Sequence, residues 1–180
     1  EVGSAGASCL DLTNREYTAD VISELFPGQG AINCQASYNP KNQALAHKRM
    51  IGKDNPHRII QWLTVQDVDQ APEYRQYGIV SRVNDTIQTA AYSGDSIYNH
   101  YNHIIGPDYC IQGNTLFDQS VLDSMQYYFL NTEGDLACKL MASLQGANKI
   151  GADRRCFDNK TSSLLAFIKV AKPNDLLGKP

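Results

Sequence analysis

Apolar runs and alternating patterns mark the strands of this chain. Residues 2–9 (VGSAGASC) and 31–36 (AINCQA) are runs of small and β-branched residues, which predict two strands. Residues 163–170 (SLLAFIKV) predict another, and residues 109–112 predict a short one. Residues 75–92 (RQYGIVSRVNDTIQTAAY) alternate on both sides of an Asn-Asp pair, which is the pattern of a β-hairpin. Strands are therefore predicted near both ends of the chain and in its middle.

Four segments have the apolar spacing and the end signals of helices. Asn39-Pro40 and Asn55-Pro56 each supply a capping side chain followed by a first-turn proline, and Gly52 ends the first of these helices. Asp118 caps a third predicted helix, which runs to about Leu130. The fourth is predicted from about Gly134 to Gln145, with four residues facing inward: Leu136, Leu140, Met141 and Leu144.

The remaining segments complete the expected architecture. Residues 93–106 (SGDSIYNHYNHIIG) have no clear period and are predicted as a loop. Helices and strands are interleaved without an internal repeat, which favours a layered α+β domain. Because one domain is the expectation for a chain of this length, residues 1–172 are predicted as a single domain and residues 173–180 as a tail or linker.

Composition and charge exclude several classes of partner. The chain is 42% hydrophobic and 19% charged, which is typical of globular proteins. Its net charge is −3 and its basic residues are scattered, so nucleic acid is not expected as a partner. No apolar run approaches the roughly 18 residues of a membrane helix, so no membrane span is predicted. No cofactor motif is recognisable, and no cofactor is expected.

Two pairs of polar residues are weak candidates for metal ligands. His100 and His103 would share a face only if their segment were helical, and no third ligand accompanies them. Asp67 and Asp69 have the spacing of part of a calcium loop, but the rest of that motif is absent. Polar loops account for both pairs more simply, and no metal site is predicted.

The five cysteines bear on the compartment of the protein. They are dispersed along the chain, as Cys9, Cys34, Cys110, Cys138 and Cys156. No C-x-x-C pair occurs, which excludes zinc fingers and thioredoxin-like redox motifs. Together with sequons at Asn84 and Asn159, the dispersed cysteines indicate an oxidising, extracellular compartment. Buried reduced thiols are the alternative, because free cysteine packs as a small hydrophobic residue.

A disulfide scheme follows from the contexts of the cysteines. Cys34 and Cys110 each lie close to a Gln on a short predicted strand, and they are predicted to face each other on neighbouring strands. Cys138 on the last helix is predicted to pair with Cys156 in the following loop. Cys9 would then be free or would form an intermolecular bond.

Five motifs occur in an order that resembles a known family. They are GSAGAS near the start, QASYNP before a helix, RQYGIV in the hairpin, YCIQGN before a helix, and GADRRC followed by SSLLAFIKV. Over almost the whole chain they resemble the bacterial domain-of-unknown-function family 1028, and most closely its secreted Bacteroidetes members. The resemblance implies an N-terminal-nucleophile (Ntn) hydrolase-like fold, a four-layer αββα sandwich. It also implies that the family's first strand, which precedes the part matching Glu1, is missing here, either because the sequence is given without it or because the mature chain starts at Glu1.

The resemblance implies a set of pocket residues but no established reaction. The residues that match the family pattern are Gln35, Gln112, Asn114, Asp153 and Arg154, with Arg155 as a weaker match. Amide and guanidinium groups are able to bind an oxyanion or a carboxylate. A structural alternative stays open, in which Asp153 and Arg154 form a local ion pair that caps a loop. An Ntn nucleophile must be Thr, Ser or Cys at the first position, so Glu1 cannot serve.

Three functions are compatible with these expectations. The favoured one is a secreted, disulfide-stapled and non-catalytic structural subunit. It would self-associate into a filament or surface assembly by accepting a strand from another copy or another protein. The second is an Ntn-type amidohydrolase whose nucleophile lies upstream of Glu1. The third is a small-ligand-binding module that uses the same pocket residues without chemistry.

Overall fold

The computed structural model describes residues 1–177. Within these residues the chain forms a mixed α/β fold with antiparallel sheets. The strands are β1 (Val2–Ser8), β2 (Ser23–Phe26), β3 (Gly30–Ala36), β4 (Arg75–Val83), β5 (Thr86–Ser93), β6 (His100–Ile105), β7 (Cys110–Leu116) and β8 (Leu165–Ala171). The α-helices are α1 (Pro40–Ile51), α2 (Pro56–Val65), α3 (Ser120–Asn131) and α4 (Leu136–Gly146). Short 3-10 helices lie at Ala19–Ile22, Pro72–Tyr74 and Arg154–Cys156.

The strands form three separate sheets. Strands β2, β3, β4 and β5 make a four-stranded antiparallel sheet in that order. Strand β1 pairs with β8, and β6 pairs with β7, each as a two-stranded antiparallel sheet. Helices α1 and α2 contact the four-stranded sheet, whereas α3 and α4 contact the two smaller sheets. The smaller sheets contact the four-stranded sheet through β1, β6, β7 and β8.

The starts of α1 and α2 confirm the capping signals of the sequence, whereas the N-cap position of α3 is Gln119, one residue after the predicted Asp118. The Asn39 side chain accepts hydrogen bonds from the backbone amides of Lys41 and Asn42, and Asn55 accepts one from His57. A proline occupies the first turn of both helices, where its missing N–H leaves no bond unmade. In α4 the cap is Asp135, whose side chain accepts from the Cys138 amide.

Two of the three hydrophobic clusters in residues 1–177 pack helices against sheets, and a small third one (Leu25, Ala31 and Ala171) joins β8 to the four-stranded sheet. The first lies between the α1–α2 pair and the four-stranded sheet and consists of buried Phe26, Ile32, Cys34, Ala46, Met50, Ile59, Leu63, Tyr77 and Ile79. The second lies under α3 and consists of buried Tyr109, Ile111, Leu116, Val121, Leu122 and Ala152. None of the helices in residues 1–177 is long and apolar enough to cross a membrane.

Some sequence predictions were wrong in detail. The segment predicted as a loop contains strand β6, whose polar residues and register irregularity near His100 hide the alternation. Strand β2 carried no recognised signal because it is only four residues long. Met141 was predicted to face inward but is 48% exposed. Of the predicted tail, residues 173–177 follow β8, and residues 178–180 lie outside the described part of the chain.

The disulfide prediction was also wrong. Cys9 and Cys156 are bonded, with their Cα atoms 5.6 Å apart, while Cys34, Cys110 and Cys138 are free. Cys34 cannot pair with Cys110 because the two lie on opposite sides of the four-stranded sheet. Cys34 packs among the residues under α1 and α2, whereas the Cys110 Sγ lies 3.4 Å from the backbone oxygens of β4 and β5 on the other side.

The observed bond fixes the end of β1 to the short helix that contains Cys156. Replacing both Cys9 and Cys156 by serine is expected to lower the free energy of unfolding by about 2–4 kcal/mol. The loss is due to the unfolded chain, which gains freedom when a link between residues 147 apart is removed. Urea unfolding monitored by circular dichroism measures it. Cys138→Ser is the control and should have almost no effect, because Cys138 is exposed and unbonded. Equal stability of the double variant and the parent would contradict this prediction.

Candidate functional site

A large groove separates strands β1 and β7. Its volume is about 1190 Å³. The walls are residues 2–8 of β1 and residues 108–114, which include the first part of β7. Residues of the four-stranded sheet form one side, and residues of α3 and α4 form the other. We refer to this cavity as the groove.

The residues of β1 face the two sides of the groove alternately. The Ser4 hydroxyl donates to Asn33 Oδ1 at 2.9 Å, so Ser4 points toward the four-stranded sheet. At the neighbouring Gly3, a Cβ atom would lie 2.8 Å from Leu140 Cδ1, so this position points toward α4. Because side chains alternate along a strand, Ala5 and Ala7 share the helix-facing side with Gly3.

Strand β7 has the same division between its two faces. The Asn114 side chain reaches Gln76 in the four-stranded sheet, and the Gln112 amide lies against Gly78 of the same sheet. Ile111, which precedes Gln112 and points to the opposite face of β7, belongs to the hydrophobic cluster under α3. The sheet-facing side of the groove is therefore polar at β7, and the helix-facing side is apolar.

The edges of β1 and β7 that border the groove have no strand beside them in residues 1–177. Strand β1 is paired on its other edge with β8, and β7 is paired on its other edge with β6. Backbone donors and acceptors of both strands therefore line the groove. An unsatisfied buried backbone group costs about 1–3 kcal/mol, so a row of them favours a binding partner in the groove.

The carboxyl ends of β1 and β7 lie together. The Cys9 amide, just after β1, donates to Asp153 Oδ2 at 2.9 Å. Asp153 also forms an isolated antiparallel bridge with Leu116, the last residue of β7. Asp153 thus joins the two strand ends at one end of the groove, which we call the carboxyl end.

The amino ends of the same two strands meet at the other end of the groove. Gly3 near the start of β1 lies against Leu136 at the beginning of α4. Asp108, just before β7, lines a small pocket together with Leu136. Strands β1 and β7 therefore run in the same direction along the two walls of the groove.

A buried amide network links the strands near the carboxyl end. Gln76 is fully buried, and its Oε1 accepts hydrogen bonds from Gln35 Nε2 at 2.7 Å and Asn114 Nδ2 at 3.1 Å. Its Nε2 donates to the backbone oxygen of Gly113 at 3.0 Å and to Ser93 Oγ at 2.8 Å. Gln76 thereby fixes two of the side chains that line the groove.

The network continues to a Ser-His pair that the sequence patterns did not reveal. Ser93 Oγ lies 2.9 Å from His103 Nδ1, and burial lowers the pKa of His103. The two residues lie on neighbouring elements of different sheets, so no local motif joins them. Gln76 has no local signal of its burial, because it lies between Arg75 and Tyr77 at the start of β4.

A second polar cluster lies at the carboxyl end itself. The Asp153 carboxylate accepts from the Cys9 amide and, through both oxygens, from the Arg155 side chain at 2.9 and 2.5 Å. Arg155 Nη2 also lies 3.2 Å from Ser8 Oγ. The oxygens of Asp153 are thus engaged in structural bonds, and Arg155 presents a fixed cation to the groove.

Gln112 carries an unsatisfied polar atom. Its Oε1 is buried and has no hydrogen-bond partner in residues 1–177. A Cβ atom at Gly78 would lie 2.2 Å from that oxygen, so the glycine is needed for the amide to fit. The amide of Gln112 is therefore packed closely against the four-stranded sheet.

The aspartates considered as calcium ligands have another role. Asp67 is buried and binds Arg75, with Nε to Oδ2 at 2.8 Å and Nη2 to Oδ1 at 3.1 Å, and Asp69 also accepts from Arg75. Burial opposes ionisation of Asp67, but hydrogen bonds from Arg75 and backbone amides outweigh it and lower its pKa to about 2. Residues 1–177 contain no group of three or more His, Cys, Asp or Glu side chains placed to hold a metal.

Comparison with known families identifies the group to which this fold and groove belong. A family described as "Family of unknown function (DUF1028)" matches residues 13–177. The chain belongs to DUF1028. No curated protein matches it.

A solved DUF1028 structure is similar in fold. The crystal structure of a protein from Silicibacter pomeroyi, assigned to DUF1028, superposes with a TM-score of 0.66 at 20% sequence identity. The alignment covers 81% of this chain and 63% of that chain. At this identity the likeness concerns the fold.

The structure brings together most of the residues implied by the DUF1028 resemblance. Gln35, Gln112, Asn114 and Asp153 all line the groove. Arg155 also lines it, whereas Arg154 is not among its lining residues in the described part of the chain. The ion pair expected for Asp153 and Arg154 is formed by Arg155 instead.

Proposed function

We propose that this DUF1028 chain is an Ntn-type amidohydrolase whose first strand, upstream of Glu1, fills the groove. The observation that carries the proposal is the polar clustering at the carboxyl end of β1 and β7. A strand inserted antiparallel to both would begin at that end. Its first residue would then lie beside the amides of Gln35 and Asn114 and the guanidinium of Arg155.

The course of the backbone supports a segment that is continuous with Glu1. A strand antiparallel to β1 and β7 ends at the amino end of the groove, where Glu1 and Val2 are among the lining residues. A tight turn of two residues is enough to join two antiparallel neighbours. Such a strand pairs with both open edges, and it joins β8, β1, β7 and β6 into one continuous sheet. The resulting four-layer αββα arrangement is part of the proposal.

The chemistry follows from a nucleophile at the first position. Its hydroxyl or thiol attacks the carbonyl carbon of the substrate amide, and its free α-amine accepts the proton released. The C–N bond then breaks, and the same proton passes to the departing amine. Water hydrolyses the resulting acyl-enzyme and restores the nucleophile. The negative charge that develops on the carbonyl oxygen is stabilised by amide N–H groups, for which we propose Asn114, whose Nδ2 uses one N–H for Gln76 and has a second to donate.

The mature terminus tests this function without knowledge of the substrate. N-terminal sequencing of the natural protein should give Thr, Ser or Cys, followed by a segment that reaches Glu1. An alkyne-tagged β-lactone, which acylates activated nucleophiles, should label that first residue, and mass spectrometry should locate the label there. A natural terminus of another residue type, or labelling only at Cys138, would contradict the proposal. Cys138 is the reference thiol because it is exposed and free.

A second candidate is the secreted, non-catalytic subunit that accepts a strand from another copy. Its support is the segment after β8, which leaves the fold beside Val2 and exposes Leu176 (70%) and Leu177 (47%). The Cys9–Cys156 disulfide supports an extracellular location for either candidate. Sedimentation analysis separates the two, because strand donation predicts polymers that are inert toward the β-lactone. A ligand-binding module would use Gln112 and Asn114 without covalent labelling.

A further inference from the structure

We infer that the strand entering the groove carries large apolar side chains toward α3 and α4 and small hydrogen-bonding side chains toward the four-stranded sheet. The inference rests on the proposed function, because it describes the segment that completes the domain. It specifies the chemistry of that segment from the two faces of the groove.

The helix-facing side has apolar walls and spare room. Most of its lining residues from the helices are apolar, including Val121, Leu122, Met125, Phe129, Leu136 and Leu140, and the polar ones are Ser143 and Gln145. On β1 the residues of this side are only Gly3, Ala5 and Ala7, which leave space for bulk on a neighbouring strand. Burying a large aliphatic side chain here is favourable, because it removes apolar surface from water.

On the sheet-facing side the two strands that border the groove offer small and polar residues, while the four-stranded sheet adds the apolar Ala31 and Val80. Beyond Val2, the β1 residues of this side are Ser4, Gly6 and Ser8, and β7 contributes Gln112 and Asn114. Asn33, Gln35 and Asn114 also line this side, and a hydroxyl or amide side chain on the incoming strand is able to form hydrogen bonds with such amide groups. A large apolar side chain there would remove these amides from water without giving them a partner.

The pairing of the incoming strand with β1 determines which of its residues point to each side of the groove. Residues directly opposite each other on antiparallel strands point to the same face of a sheet. The residues opposite Gly3, Ala5 and Ala7 are therefore apolar, and those opposite Ser4, Gly6 and Ser8 are small and polar. A shift of one residue would exchange the two faces and place every side chain on the wrong side.

Two fusions to residues 1–180 test the pattern. In both, a strand of alternating valine and serine, long enough to span β1, is joined to Glu1 through an Asn-Gly turn. The in-phase fusion places valine opposite Gly3, Ala5 and Ala7. The out-of-phase fusion has the same composition with valine and serine exchanged. Urea unfolding and amide hydrogen exchange of β1 and β7 are measured for both fusions and the parent.

The in-phase fusion is expected to raise the urea midpoint by roughly 1 M and to protect the groove-facing amides of β1 and β7, and the out-of-phase fusion should do neither. Equal stabilisation and protection by both fusions would contradict the proposed alternation of apolar and polar side chains, but not the insertion of a strand into the groove. No stabilisation by either would overturn the pattern and strand completion together. A natural terminus other than Thr, Ser or Cys would remove the enzyme function alone.

Discussion

Replacing Arg75 by methionine is expected to lower the free energy of unfolding by about 3–5 kcal/mol, because it leaves a buried carboxylate without its partner. The Arg75 side chain is 6% exposed, and that of Asp67 is fully buried. The guanidinium also donates to Asp69 and to the Ser37 backbone oxygen, so it ties β4 to the segments on either side of α1 and α2. Urea unfolding at neutral pH measures the loss.

Arg82→Met is the matched control. Arg82 lies on the same strand and pairs with Asp85, but both side chains are more than half exposed. Exposed pairs contribute about 1 kcal/mol or less, so this variant should be nearly as stable as the parent. Similar losses for Arg75→Met and Arg82→Met would contradict the importance of the buried pair.

The same pair predicts a dependence of stability on pH. The pKa of Asp67 is lowered to about 2 in the folded protein, below its value of about 4 in the unfolded chain. The contribution of the ionised Asp67 carboxylate to the free energy of unfolding is therefore complete above pH 4 and is lost as the pH falls through 2. The urea midpoint should drop between pH 4 and pH 2, and Asp67→Asn should weaken this drop. An unchanged pH dependence in Asp67→Asn would contradict the prediction.

Replacing Asn114 by alanine in the mature protein is expected to slow β-lactone labelling of the first residue by about 100-fold, since removal of one oxyanion donor typically costs that much. The variant should still fold, because Gln76 Oε1 keeps its hydrogen bond from Gln35. The rate of labelling is followed by intact-protein mass spectrometry, with the unfolding midpoint measured in parallel.

Asn131→Ala provides the control for this variant. Asn131 ends α3 at the surface and bonds only to the Tyr127 backbone oxygen in the described part of the chain. Its removal should leave the labelling rate unchanged. If Asn114→Ala labelled as fast as Asn131→Ala, Asn114 would have no part in the chemistry.

Signals between residues close in sequence were sufficient to predict most of the helices and strands. The caps at Asn39 and Asn55 and the hairpin turn at Asn84-Asp85 are each determined by neighbours in sequence, and all were predicted correctly. Strand β6 was missed because its sequence has no regular alternation of apolar and polar residues. Its pairing with β7, which is distant information for a local pattern, keeps it extended.

The candidate site could not be predicted from local sequence patterns, because contacts between distant parts of the chain hold its residues together. Gln35, Gln112, Asn114 and Asp153 were named from a family resemblance, and the structure places all four on the groove. Gln76, which holds two of them, was missed because nothing local marks a buried amide as the centre of a network. The disulfide was wrong for the same reason, since its cysteines are 147 residues apart.

A crystal structure of the mature protein from its natural source is the most direct test of whether a strand upstream of Glu1 fills the groove. The account predicts one strand between β1 and β7, antiparallel to both, continuous with Glu1 and starting with Thr, Ser or Cys beside Asn114. A groove that holds a segment of a different molecule, or that no strand enters, would contradict it.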